Sequence, residues 1–197
     1  MRTVFLPSKF EVVEGYFSHL SPAQKQMYAM QAIEHIANSE SSLTPIAASV
    51  VGSSLRGNDR LDSDVDILVV VLEKVRAREF SFIDDNGVEV DGKIESLNSF
   101  FIKLPTSLPY MEFAFSPFRQ TDSRFYALFN SLALSNVNSY VFTERVEDFE
   151  EHMIERAAKS GDKKKMIKAQ HVSIAKDYLL ENKSSTVPRE LFEQQLQ

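Results

Sequence analysis

Asp64 and Asp66 stand two residues apart at the head of Ile67-Leu68-Val69-Val70-Val71, an apolar run that has to become the middle of a core. Carboxylates are costly to bury, so their place here needs a reason. Val65 to Leu72 reads as a central strand, in which side chains alternate. Asp64 and Asp66 therefore share one face, with Val65 and Ile67 on the other. Two like charges held together are unfavourable unless a proton is shared or a cation lies between them, and the oxygen-seeking Mg²⁺ suits a carboxylate pair.

The elements around this strand follow from local signals. Ser21-Pro22-Ala23-Gln24 has the form of a capping box with Pro at the first helical position. Met27, Met30, Ile33, Ile36 and Ala37 recur at helical spacing after it, so a helix is expected to about Asn38. Ile46 to Val51 reads as a short buried strand that stops in a tight turn at Gly52-Ser53-Ser54. Glu79–Ile83 and Val88–Ile94 flank Asp84-Asp85-Asn86-Gly87, a hairpin signal. Glu89 and Asp91 share one face of the second hairpin strand, and either can supply a third acid; Glu95 is a further candidate. Leu97, Phe100, Phe101 and Leu104 fall on one helical face before Pro105, and YMEFAFSPF forms a second apolar segment in which Phe113, Phe115 and Phe118 read as core. Helices are expected over 122–134, 143–159 and 162–181, broken at Gly161. Tyr178 reads as core in the last of these, and His19, His35 and His152 show no ligand spacing.

The expected fold class is α/β (α+β), a small mixed sheet with flanking helices. Residues 1–118 read as the core domain and 119–197 as a C-terminal helical region packed directly on it.

Composition excludes several classes of function. Of 197 residues, 43% are hydrophobic and fifteen are Phe, which supports a packed core. There is no Cys, hence no disulfide framework, no Cys-ligated zinc and no thiol nucleophile. No stretch approaches the roughly 18 apolar residues of a membrane span, and MRTVFLPSKFEVVEG lacks an apolar signal core. A cytoplasmic protein with no membrane partner is expected. The net charge of −6 argues against a broad basic face for nucleic acid, though it leaves room for a local basic groove. Lys163-Lys164-Lys165, the one compact basic run, reads as a solvated helix start.

Gly52 allows close approach of backbone to a ligand, and Ser53 and Ser54 add hydroxyls beside backbone N–H groups, the chemistry of a phosphate cradle. A triphosphate suits this turn and the acids together. Two readings stay open for Arg56 and Arg60: contact with phosphates, or pairing with Asp59 and Asp62. Two also stay open for Lys164, Lys168 and His171, which recur on one helical face: a positive stripe facing a triphosphate, or a solvated face.

Gly52-Ser53, ten intervening residues and Asp64-Val65-Asp66-Ile67 resemble the signature of the DNA polymerase β-like nucleotidyltransferase superfamily. The resemblance implies transfer of a nucleoside monophosphate from a nucleoside triphosphate, ATP among them, to a hydroxyl acceptor. It implies phosphate binding at Gly52 and Ser53, metal binding at Asp64 and Asp66, and Asp91 as third acid and activator of the acceptor, with Glu89 in competition. Two Mg²⁺ ions are the implied cofactors, Mn²⁺ the substitute. VDGKIESLNSFFIKLPTSLPYMEFAFSP and KKMIKAQHVSIAKDYL are similar to the RNA-repair-associated branch, so the resemblance spans residues 50–185 and leans to an RNA end over a protein or small-molecule acceptor. Pro105-Thr106-Ser107 departs from that branch's Gly-Asn-Pro-like turn, and no Arg follows His171 one turn on. The alternative is a nucleotide-binding or antitoxin-like interaction protein with the same fold and no catalysis. Oligomeric state is not encoded in any of these features.

Overall fold

The computed structural model describes residues 19–56, 59, 63–116, 118–125 and 140–181. Arg60, Asp62 and most of the helix expected over 122–134 lie outside the described residues, as do the side chains of Phe115 and Tyr178. Helix α1 spans Pro22–Ser39, and its capping box forms as expected, with Ser21 and Gln24 bonded reciprocally. Its buried face differs from the expected one. Tyr28, Ala29, Ala32 and Ile36 turn inward, whereas Met30 is 48% exposed and Ala37 is exposed. Small Ala29 and Ala32 let the helix approach the sheet, and the Tyr28 hydroxyl donates to Asp84 Oδ2 at 3.0 Å, which fixes the helix's rotation.

Five strands form one mixed sheet: β1 (Pro45–Val50), β2 (Val65–Val71), β3 (Arg78–Ile83), β4 (Glu89–Ser96) and β5 (Gln120–Thr121), in the order β3-β4-β2-β1-β5. β2 and β4 are parallel, and every other pairing is antiparallel. The β3–β4 turn is tied by Asp84 Oδ1, which accepts from the amides of Asn86 and Val88, both at 2.8 Å. Gly87 takes φ +79° there, a conformation open to glycine at little cost.

Between β1 and β2 the chain forms a short helix, α2 (Gly52–Arg56), where the sequence predicts only a tight turn. Gly52 at φ +74° lets the chain leave β1 and enter that helix at once. α3 (Leu97–Lys103) is capped by Ser96 and runs through a 3₁₀ turn at Leu104–Thr106 into α4 (Leu108–Phe115). Arg119 Nη1 closes α4 by donating to the carbonyls of Phe113 (2.9 Å) and Ala114 (2.7 Å). α5 (Tyr140–Ser160) and α6 (Lys163–Glu181) form an antiparallel hairpin about Gly161.

The alternation of β2 divides the core in two. Val65, Ile67, Val69 and Val71 pack with α1, whereas Leu68 and Val70 join α3, α4 and residues of α5 and α6, including Phe142, Val146, Val172 and Ala175. The helical hairpin was expected to lie directly on the sheet. It reaches the sheet chiefly through α4 and the 3₁₀ turn, because these already cover that face.

Candidate active site

Register, rather than sequence distance, assembles the acids. Asp66 on β2 is the direct parallel partner of Asp91 on β4. Asp66 lies on the face of Leu68 and Val70, and Asp91 on the face opposite Val90 and Ile94, so both project toward the side covered by α3–α6. Asp64 stands just before β2, exposed and close enough to Asp91 to raise its carboxyl. Glu89 pairs with Ile83 at the hairpin end, before the first β2–β4 pair at Val65 and Val90, and is exposed. Glu95 is fully buried further along β4, where it accepts from Lys103 and the Tyr110 hydroxyl.

A cleft of about 960 Å³ opens over these strands. Gly52, Arg56, Asp66, Asp91 and Lys168 line it, together with Tyr110, Phe149, Met153 and Arg156. Burial pushes the Asp66 carboxyl up, Asp64 and then Asp91 add to the rise, and Arg56 and Lys168 oppose it. Burial, then the charge of Asp64, likewise raise Asp91. These groups gain from a nearby cation, and their all-oxygen donor set is the one Mg²⁺ takes. Among the described residues no group of three or more His, Cys, Asp or Glu could hold a metal ion by itself. Mg²⁺ characteristically uses one or two carboxylates and completes its shell with water and substrate phosphates, so the acids fit that ion in the presence of a nucleotide.

Behind the acids lies a buried network that spacing did not reveal. Glu112 on α4 is fully buried; its Oε2 accepts from the Gly52 amide at 2.9 Å and its Oε1 from Arg56 Nη1 at 2.6 Å. The Gly52 N–H is thus committed to the protein, and Arg56 pairs with Glu112. Asp59 accepts from the His19 amide. His171, expected on a helix face, is 3% exposed, with Nδ1 4.0 Å from Glu112 Oε1. Burial and the Arg56 charge hold its pKa down at about 4, so it is neutral at pH 7. Ser54 is 1% exposed, Ser53 is half-buried, and Lys164 lies in a neighbouring depression with Lys168. The signal for Glu112 was present as a lone acid in the apolar run Tyr110–Phe115; nothing marked Arg156.

A parallel strand pair thus presents facing carboxylates beneath a cleft, with a glycine-led helix beside them. Residues 31–127 match the family model described as a nucleotidyltransferase domain. The chain carries a nucleotidyltransferase domain of the DNA polymerase β-like superfamily. No curated protein matched the chain. Among the described residues no helix is long and apolar enough to cross a membrane.

Proposed function

We propose that the protein transfers a nucleoside monophosphate from a nucleoside triphosphate to a hydroxyl acceptor, an RNA end, and releases pyrophosphate. The observation that carries this reading is the registered pair Asp66–Asp91, which lines a cleft large enough for a nucleotide, with Asp64 close to Asp91. Asp64, Asp66 and Asp91 hold one or two Mg²⁺, or Mn²⁺, which when bound neutralise charge on the triphosphate and lower the cost of forming the attacking alkoxide. Lys168 and Arg56, which line the cleft, and the half-buried Ser53 beside Gly52 steady the triphosphate. Asp91 accepts the acceptor's proton. The acceptor oxygen then bonds to the α-phosphorus as the bond from that phosphorus to the bridging oxygen breaks, and pyrophosphate leaves.

A second reading is a nucleotide-binding or antitoxin-like protein without catalysis, favoured by the finding that among the described residues no group of three acids or histidines could hold a metal ion by itself. Incubation with each of four α-labelled nucleoside triphosphates, Mg²⁺ and total RNA separates the two. Label in RNA supports transfer. A nucleotide-induced rise in melting temperature without label supports the binder.

A further inference from the structure

Charge is unevenly distributed along the chain. Residues 156–168, comprising the end of α5, the Gly161 turn and the start of α6, hold six of the 22 Lys and Arg but one of the 28 Asp and Glu. The segment therefore carries a net five positive charges and the rest of the chain eleven negative, which together give the overall −6. Arg156, Lys159, Lys163, Lys164 and Lys168 are exposed, and Lys165 is half-buried. Lys159 is offset by Glu155 at 2.8 Å.

This basic segment is continuous with the cleft. Arg156 lines the cleft and also two adjoining depressions, of about 330 and 190 Å³. Lys165 lines both depressions, and Lys164 and Lys168 line the smaller. The cleft's 960 Å³ is at the upper end of the range for small-ligand sites, roughly 300–1,000 Å³. A nucleoside triphosphate is accommodated there without the outer depressions, which leaves Lys164 and Lys165 in excess of its needs. Three aromatic residues line the same cleft; Phe80 and Phe149 are half-buried, whereas Tyr110 is 4% exposed and belongs to the core. Cations that track a backbone beside aromatic faces that stack bases are the two components of a single-strand binding site.

We infer that the α5–α6 hairpin is the track for a single-stranded nucleic acid whose terminal hydroxyl reaches Asp91 while its preceding phosphates lie against Arg156, Lys164 and Lys165. The inference rests on the nucleotidyl-transfer reading for the role of that hydroxyl. A phosphodiester strand fits better than an isolated phosphate because the cations continue out of the cleft. In an otherwise acidic molecule, a local basic track also orients such a strand before contact.

The test is fluorescence anisotropy with a short single-stranded oligoribonucleotide and the DNA of the same sequence, on the full chain and on the double variant Lys164→Glu, Lys165→Glu. Nucleotide-induced stabilisation is measured on the same samples. Binding of either strand by the wild type is expected, weakening as salt rises from about 50 mM to about 200 mM, and the ratio of RNA to DNA affinity identifies the acceptor sugar. The double variant is expected to bind at least about tenfold more weakly, with its log–log salt slope smaller by about 1.4, and to keep its melting temperature and nucleotide response. Absence of binding to both strands, or binding unchanged in the double variant, overturns the track. Loss of the nucleotide response in the double variant also overturns it, by assigning these lysines to the triphosphate. The transfer reading itself fails separately, if the wild type shows no nucleotide response.

Discussion

Glu112 and Gly52 are sixty residues apart and joined by a buried hydrogen bond, Gly52 amide to Glu112 Oε2, at 2.9 Å. The other Glu112 oxygen takes Arg56 at 2.6 Å, so one carboxylate on α4 clamps both ends of α2 against the acids of β2. The Gly52 amide and Arg56 Nη1 both depend on this one carboxylate. Removing the carboxylate leaves a donor and a cation without a partner in a site where the two charged side chains are 8% and 0% exposed.

Glu112→Ala is therefore expected to destabilise the fold by about 3–5 kcal/mol, the cost of breaking a buried ion pair from one side. Glu112→Gln keeps an acceptor for the Gly52 amide and is expected to lose less. Urea unfolding of the two variants reads the difference. Equal losses, or a loss under about 1 kcal/mol for Glu112→Ala, would contradict the clamp.

Gly52→Ala adds a Cβ that collides with Asp66 Oδ2 and stands 3.1 Å from Asp66 Cβ, at a φ of +74°. Gly87 shares the left-handed conformation at φ +79°, but a Cβ there meets nothing within 4 Å. Both alanine variants pay the backbone cost, about 1 kcal/mol. Only Gly52→Ala is expected to lose the nucleotide-induced rise in melting temperature, since it moves the Asp66 carboxylate that lines the cleft. Parallel behaviour of the two variants would count against the coupling of Gly52 to Asp66.

His171 has a folded-state pKa near 4 against an ordinary 6.5, because it is buried beside Arg56. Between these values the unfolded chain binds the proton and the folded chain does not. Stability from this group is thus present above pH 6.5 and lost as pH falls toward 4, by up to about 3 kcal/mol. His171→Gln is expected to flatten that part of the stability–pH curve relative to wild type. Identical acid limbs in the two proteins would contradict the assignment.

Much of this architecture was legible before any coordinates because local chemistry specified it. Ser21 and Gln24 fix the start of α1, Asn86-Gly87 the hairpin and Gly161 the break between α5 and α6, each by a short-range bond or a backbone conformation. Alternation put Asp64 with Asp66, and Glu89 with Asp91, on common faces. It could not choose between Glu89 and Asp91, because that choice depends on the parallel register of β2 on β4, set by contacts between distant segments. The inward turn of α1 was hidden for a similar reason: Tyr28 is drawn to Asp84, and Lys25 is 1% exposed with its amine 5.0 Å from the Phe118 ring. Polar groups buried by distant partners leave no periodic trace. Glu112 and His171 belong to that class, which is why the support behind the acids was the least readable part of the site.

The account stands on the Asp66–Asp91 pair as a catalytic centre. The most direct measurement is pyrophosphate release and label transfer from α-labelled nucleoside triphosphate, in Mg²⁺ with RNA, by wild type, Asp66→Asn and Asp91→Asn at matched melting temperature. The predicted result is transfer by wild type and a fall of about a thousandfold or more in each variant, comparable to the loss of a principal transition-state electrostatic group. Undiminished turnover in either folded variant would contradict it.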